Sequence, residues 1–150
     1  VRLLTRPVLA ACNTVYRATG GVLGAWWFGQ PILLLTTVGR RTGERRVSGL
    51  VFLRDAGRYV VVASDNGAPR RPGWYYNLLA AGQAEVQYRR TRVRVTAHEA
   101  VGEERARLWP LLLRVYSGYD RHQARAGRPL PVMVLTPVVP ARVRGSGDGR

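Results

Sequence analysis

Two loops carry the residue types best suited to chemistry. An apolar run over residues 31–38 leads into the turn Gly39-Arg40-Arg41-Thr42-Gly43-Glu44-Arg45-Arg46, and a second loop follows at Ser64-Asp65-Asn66-Gly67-Ala68-Pro69-Arg70-Arg71-Pro72-Gly73-Trp74. A strand feeding a Gly-bounded basic turn makes a cradle for an anion, because guanidinium grips phosphate and carboxylate with two parallel hydrogen bonds and stays charged at any working pH. In the second loop Ala63, Ser64, Gly67 and Ala68 are small enough to let a flat group approach the backbone. Together the loops predict a site for a large, planar, anionic cofactor.

The elements that must position these loops are mostly strands. Hydrophobic alternation and β-branched content predict strands over 31–38, 47–54 and 58–64, the last two joined as a hairpin through Asp55-Ala56-Gly57. A short helix over 73–81 follows Pro72, and residues 84–88 and 91–98 form a second hairpin across Arg89-Arg90. A helix opens at Gly102-Glu103-Glu104, where acids suit the helix dipole, and continues to Val115, with Pro110 expected to kink it or mark an early turn. A short helix over 119–126 and a strand over 131–137 complete the order. Six or so mostly antiparallel strands with inserted helices argue for a small α+β barrel over a doubly wound sheet. No Gly-x-Gly-x-x-Gly opens a helix and no Gly-x-x-x-x-Gly-Lys occurs, so neither a Rossmann site nor a P-loop is supported.

The chain of 150 residues, 46% hydrophobic, is sized for one domain with a core. Its formal charge of +15 comes from 24 cations, every one an arginine, against 9 acids. Such a charge suits nucleic acid, an anionic membrane surface or a polyanionic small molecule, and does not choose among them. Cys12 stands alone, and His98 and His122 lie outside any metal-ligand spacing, so no metal site is expected and a reducing cytoplasm fits. Arg2, Arg6, Arg17 and Gln30 interrupt the apolar N-terminal third, which excludes a spanning helix there, and no cleavage-site pattern marks a signal peptide. Residues 3–19 have amphipathic helical spacing, and Trp26-Trp27 follows. The expected division is therefore an N-terminal segment over 1–30, a cofactor-binding domain over 31–137 and a disordered tail over 138–150.

Strand, Gly39-Arg40-Arg41-Thr42-Gly43, Arg46, hairpin, Ala63-Ser64, Pro72-x-Trp74-Tyr75-x-Asn77-Leu78, Thr96-Ala97, Glu103-Glu104-Arg105 and Tyr116-x-x-Tyr119 occur in an order that strongly resembles the deazaflavin-dependent nitroreductase family over about residues 31–137. The resemblance implies a split β-barrel like that of FMN-binding proteins, holding coenzyme F420, with FMN as the second choice. It assigns Arg40, Arg41, Thr42 and Arg46 to the phosphate and glutamate tail of F420. It places the deazaflavin ring against Ala63, Ser64, Asp65, Gly67 and Ala68, whose backbone amides would stabilise ring charge, and against Pro72, Gly73, Trp74 and Asn77. For Trp74 the residue type itself favours core packing, and Asn77 also reads as a cap on backbone groups. Tyr116, Tyr119 and His122 fall where the family's substrate-facing aromatics lie.

Five positions depart from the nitroimidazole-reducing relatives. Asp65 stands where a Lys is found, Gly49 where Pro is common, Val51 where Tyr occurs, Gly73 where Met occurs, and His122 where a third Tyr completes the cluster. Cofactor binding therefore carries over more safely than acceptor identity. The expectation is an F420H2-dependent oxidoreductase passing hydride to a quinone, an activated alkene (enone) or a nitro compound. Its rivals are a split-barrel module that binds F420 or a flavin-like ligand without turnover, and a basic nucleic-acid-binding protein, which has no recognised motif behind it. A homodimer and a peripheral contact with the inner membrane face stay open as partner expectations.

Overall fold

Seven strands and three helices carry the chain from Ile32 to Pro137 in the computed structural model, which describes residues 31–139. The amphipathic helix expected over 3–19, the Trp26-Trp27 pair and the tail beyond 139 lie outside the described residues. The strands are β1 (Ile32–Val38), β2 (Arg45–Val51), β3 (Leu53–Asp55), β4 (Arg58–Val62), β5 (Gln83–Tyr88), β6 (Thr91–Ala100) and β7 (Val132–Pro137). The helices are α1 (Gly73–Ala81), α2 (Gly102–Val115) and α3 (Tyr119–Ala126), with a 3-10 turn at Asp65–Gly67. The expected hairpins are present, with Asp55 paired to Arg58 and Tyr88 to Thr91.

All pairings are antiparallel, in the order β2-β1-β5-β6-β7-β4-β3. The single strand expected over 47–54 is instead two strands that sit on opposite edges of the sheet. The chain breaks at Phe52, so that β2 pairs with β1 while β3 pairs with β4. Because a single residue joins the two outermost strands, the sheet must curl until its edges approach, which is the geometry of a split barrel. Phe52 is the residue at this seam. It is buried, its N–H reaches Pro31 O at 3.4 Å, and its ring lies 5.5 Å from Tyr59 and 4.8 Å from Tyr88. A bulky ring inside the curl fills space that a straight strand would leave to solvent.

The curled sheet is buried on both faces where its sequence is continuously apolar. Successive strand residues point to opposite sides. Tyr59 and Val61 of β4 and Met133 and Leu135 of β7 therefore enter the inner cluster with Leu33, Leu35, Phe52 and Trp74. Val60, Val62, Val132 and Val134 face outward, where Leu108 and Leu112 of α2 and Tyr119 of α3 cover them. Alternating strands would need no such cover, so the runs Tyr59–Val62 and 132–135 already require helices on their second face.

Helix α2 is stitched to the β3–β4 hairpin by charge. Asp55 accepts from Arg58 at 2.7 Å and from both Nη atoms of Arg107 at 2.9 Å, which hold its carboxyl far below the ordinary carboxylate range. Glu104 bonds His98 at 2.7 Å and Arg58 at 3.4 Å, and these partners lower its pKa. Of the two expectations for Pro110, a kink or an early turn, the early turn is not seen, since the helix continues through Pro110 to Val115. Proline costs one backbone hydrogen bond there, and the burial of Leu108 and Leu112 on either side offsets it. At the other end of the chain Val138 donates its N–H to Arg94 O at 2.8 Å, so β7 pairing extends into the segment expected to be tail.

Phe52→Ala is expected to cost about 3–5 kcal/mol, the usual loss for a buried aromatic truncated to Ala. Urea unfolding of wild type and variant checks it, and a loss under about 1 kcal/mol would mean that the seam does not depend on this ring.

Candidate active site

The arginine turn is a closed loop with its side chains outside. Gly43 N–H donates to Gly39 O and Gly39 N–H to Glu44 O, both at 2.8 Å, while Thr42 Oγ1 accepts from Glu44 N–H at 3.2 Å. Arg40, Arg41, Thr42, Arg45 and Arg46 are all exposed. Arg46 pairs with Glu44 at 3.3 Å and Arg45 with Glu85 at 3.8 Å, exposed contacts that hold little energy against a competing polyanion. No acceptor engages Arg41 among the described residues. The turn therefore presents guanidinium groups that an anion can recruit.

Asn77 anchors this turn from below. Its Oδ1 accepts from Arg40 N–H at 3.1 Å and from Arg40 Nη1 at 3.4 Å, and its Nδ2 donates to Thr37 Oγ1 at 3.2 Å. Asn77 and Thr37 are buried, so the bond between them is made away from competing water, while the bonds to Arg40 lie at the edge of that buried region. The Arg40 guanidinium also sits 4.9 Å from the Tyr76 ring centroid, a contact the sequence reading missed although Tyr76 adjoins Asn77 in the same motif. Asn77 is three residues beyond Trp74, roughly 4.5 Å along a helix axis, so α1 carries the second loop and the turn on one rigid piece. Trp74 itself is buried in the inner cluster, where core packing is its direct role.

The second loop is tighter than its small residues suggested. Ala63 N–H donates to Pro131 O at 2.9 Å, Ser64 N–H to Val62 O at 3.0 Å, Gly67 N–H to Ser64 O at 2.7 Å and Ala68 N–H to Asp65 O at 3.0 Å. Four of the amides expected to face a ring are thus already donating inside the protein. Gly67 serves packing. With φ at +76°, a Cβ there would lie 2.6 Å from His122 O and 3.1 Å from Arg125 Cβ, so only glycine lets the loop rest on α3. Asp65 also has positive φ, at 41°, a conformation that Asp tolerates better than most residues. Gly73 differs from Gly67. It is exposed, and a Cβ there would meet nothing within 4 Å, leaving free space at the start of α1 beside Pro72.

The contact through Gly67 brings in the third group. Tyr116 and Tyr119 meet edge to face at 5.0 Å between ring centroids, and His122 lies 5.5 Å from Tyr116 and 6.4 Å from Tyr119. The Tyr116 ring folds over Gly118, whose missing Cβ makes room for it. Tyr119 is 5% exposed and His122 9%, whereas Tyr116 is half-buried. Burial raises the Tyr119 phenol far above its ordinary value. Burial, with help from Arg125 and Arg121, lowers His122, so its ring is neutral at pH 7, and its Nδ1 is buried without a partner among the described residues. Turn, loop and aromatic cluster are therefore linked in series through α1 and Gly67. A larger cleft of about 500 Å3 between Phe52, Tyr59, Tyr88 and Val115 contains none of the residues nominated from sequence.

The curled sheet with three helices defines the split-barrel fold. The haem storage protein HutZ of Vibrio cholerae shares the fold at 15% identity and a TM-score of 0.54, over 72% of this chain and 82% of that one. Likeness of sequence is far greater to an F420-H2-dependent reductase (FDR-A), whose structure matches with a TM-score of 0.65 and 36% identity over 70% of this chain and 93% of that one. A solved domain-swapped dimer matches with a TM-score of 0.66 and 32% identity over 86% and 98%. An F420H(2)-dependent quinone reductase of Mycobacterium tuberculosis (strain H37Rv) is 39% identical over 128 residues, 83% of this chain and 86% of the relative. Residues 9–137 match the F420H(2)-dependent quinone reductase family, and the chain belongs to that family.

Asn77→Ala should lower stability by about 1–3 kcal/mol, because Thr37 and the Arg40 amide lose a partner in a buried setting. Faster hydrogen exchange at the Arg40 amide, with β7 amides unchanged, would show that the turn has come loose without unfolding the sheet.

Proposed function

We propose that this chain is an F420H2:quinone oxidoreductase whose arginine turn holds the anionic end of the cofactor and whose second loop and aromatic cluster frame the reacting end. The observation that carries this reading is the Asn77-anchored turn, a preformed cationic surface joined by α1 to the Trp74 segment. Its residues fit F420. Exposed Arg41 and weakly paired Arg46 can take phosphate and carboxylate oxygens, and the free space at Gly73 admits a planar ring beside Pro72.

When bound, reduced F420 supplies a hydride, and a quinone becomes hydroquinone by taking that hydride with one proton. The chain contributes binding, orientation and exclusion of water. Asp65, exposed in the second loop, places a negative charge at this end, so binding here depends on shape more than on charge. Of the aromatic cluster, half-buried Tyr116 has the best access to an acceptor. Tyr119 stays a neutral phenol and His122 a neutral imidazole, and both hold the Tyr116 ring from behind. Tyr116 Oη can then donate to a quinone oxygen. Among the described residues no helix is long and apolar enough to cross a membrane.

Arg41→Ala and Arg46→Ala are expected to weaken F420 binding by roughly 1.5–3 kcal/mol each, the range of a charge-assisted contact, with a smaller difference at high salt. Equilibrium titration of F420 and FMN side by side provides the test, and unchanged F420 affinity in both variants would remove the turn from the site.

Tyr116→Phe and His122→Ala should lower quinone turnover far more than F420 affinity, since they act on the acceptor side. Single-turnover rates measured beside binding titrations separate the two effects. Binding of F420 with no turnover of any quinone by wild type would favour the non-catalytic module.

A further inference from the structure

A second group of arginines lies away from the turn, where the end of β6 meets the start of β7. A cavity of about 260 Å3 there is walled by Arg71, Arg105, Arg128 and Glu99. The three guanidinium groups come from separate parts of the chain, the loop before α1, the second turn of α2 and the segment after α3. Their acceptors are neutral. Arg105 Nη2 donates to Gln123 Oε1 at 3.0 Å and Leu130 O at 3.1 Å, and Arg128 Nη2 to Ala68 O at 3.5 Å and Pro69 O at 3.4 Å. Arg71 lies 5.6 Å from the Tyr75 ring centroid.

Glu99 is the one carboxylate in this wall, and its Oε1 accepts from Tyr75 Oη at 2.5 Å. Among the described residues none of the three arginines is within ion-pair distance of any carboxylate. Arg71 Nε and Arg128 Nη1 are buried without an acceptor among them. A buried N–H without a partner is costly, and more so on a charged group. Three cations facing one anion, with two N–H groups unsatisfied, form a site in need of an acceptor with at least two oxygens.

We propose that this cavity binds a small oxyanion, a phosphate or a short carboxylate, held by Arg71 and Arg128 with Arg105 adding charge. Binding would join Arg71 and Arg128 through one ligand and so clamp the 68–72 segment to the barrel end, because Arg128 already holds Ala68 O and Pro69 O.

Inorganic phosphate titrated into the cofactor-free full chain, with chloride matching ionic strength, tests the site by calorimetry and thermal melting. Wild type should show saturable binding, and Arg71→Gln and Arg128→Gln should each weaken it roughly tenfold. Glu99→Gln, which keeps an acceptor for Tyr75 but removes the carboxylate charge, should tighten it about threefold, and this holds even where Arg128→Gln fails to fold. Arg114→Gln, an exposed arginine on α2, should match wild type. Equal phosphate binding in wild type and Arg71→Gln, or loss in Arg41→Ala with retention in Arg71→Gln, would place the anion elsewhere and overturn the proposal. No F420 is present in any arm, so failure here leaves the reading of the reductase site intact.

Discussion

Four guanidinium groups within seven residues repel one another, and left to itself such a turn would spread into solvent. Asn77 prevents this with one buried amide. By accepting from the Arg40 backbone and donating to Thr37, it fixes the point where β1 ends and the turn begins, and it does so from a helix whose first residues border the second loop. The amide carries no charge, so it orders the arginines without neutralising them. An ionised acid in its place could accept from Arg40 but could not donate to Thr37, and it would cancel part of the positive field of the turn. The cationic surface and the second loop are therefore held by one element, and the spacing between them is that of an α-helix.

The barrel supplies the other constraint. Phe52 ties together the two edges of a seven-stranded sheet, and the resulting curl sets the turn after β1 against the middle of the same short helix that the loop after β4 leads into. Helix α3 then closes on the loop at Gly67 with a contact that a single methyl group would forbid. Rigid packing of this kind explains why the loop's amides turn inward: the segment is held in shape by its own hydrogen bonds before any ligand arrives. The enzyme reading is thus one of preorganisation, in which little has to move for a planar ring and an acceptor to meet.

Much of this was legible in the chain. Asp55-Ala56-Gly57 marked the first hairpin because such types favour a tight reversal, the second was read from the alternating Val-rich runs on either side of Arg89-Arg90, and the boundaries of α1 and α3 followed from Pro72 and from the break at Ser117-Gly118. The order of the Arg, Trp-Tyr-x-Asn and Tyr-x-x-Tyr motifs identified the family, and each motif is local enough to be read without coordinates. Phe52 was read as mid-strand because nothing in its neighbours differs from an ordinary strand. Its role as a seam depends on which strands pair across the sheet, information spread over the whole chain.

What the sequence alone determined is the inventory of local choices: where strands and turns fall, where positive charge gathers, and which family pattern they compose. These depend on residues a few positions apart. Tertiary structure decided the partners. It spent the loop amides on Pro131, Val62, Ser64 and Asp65, buried Tyr119 and His122 behind Tyr116, packed Gly67 against α3, and drew Arg71, Arg105 and Arg128 around one cavity. Each of these outcomes involves at least one contact set by the curl of the sheet and by helices laid over it, and burial and satisfaction of polar groups are settled only once the entire chain has closed.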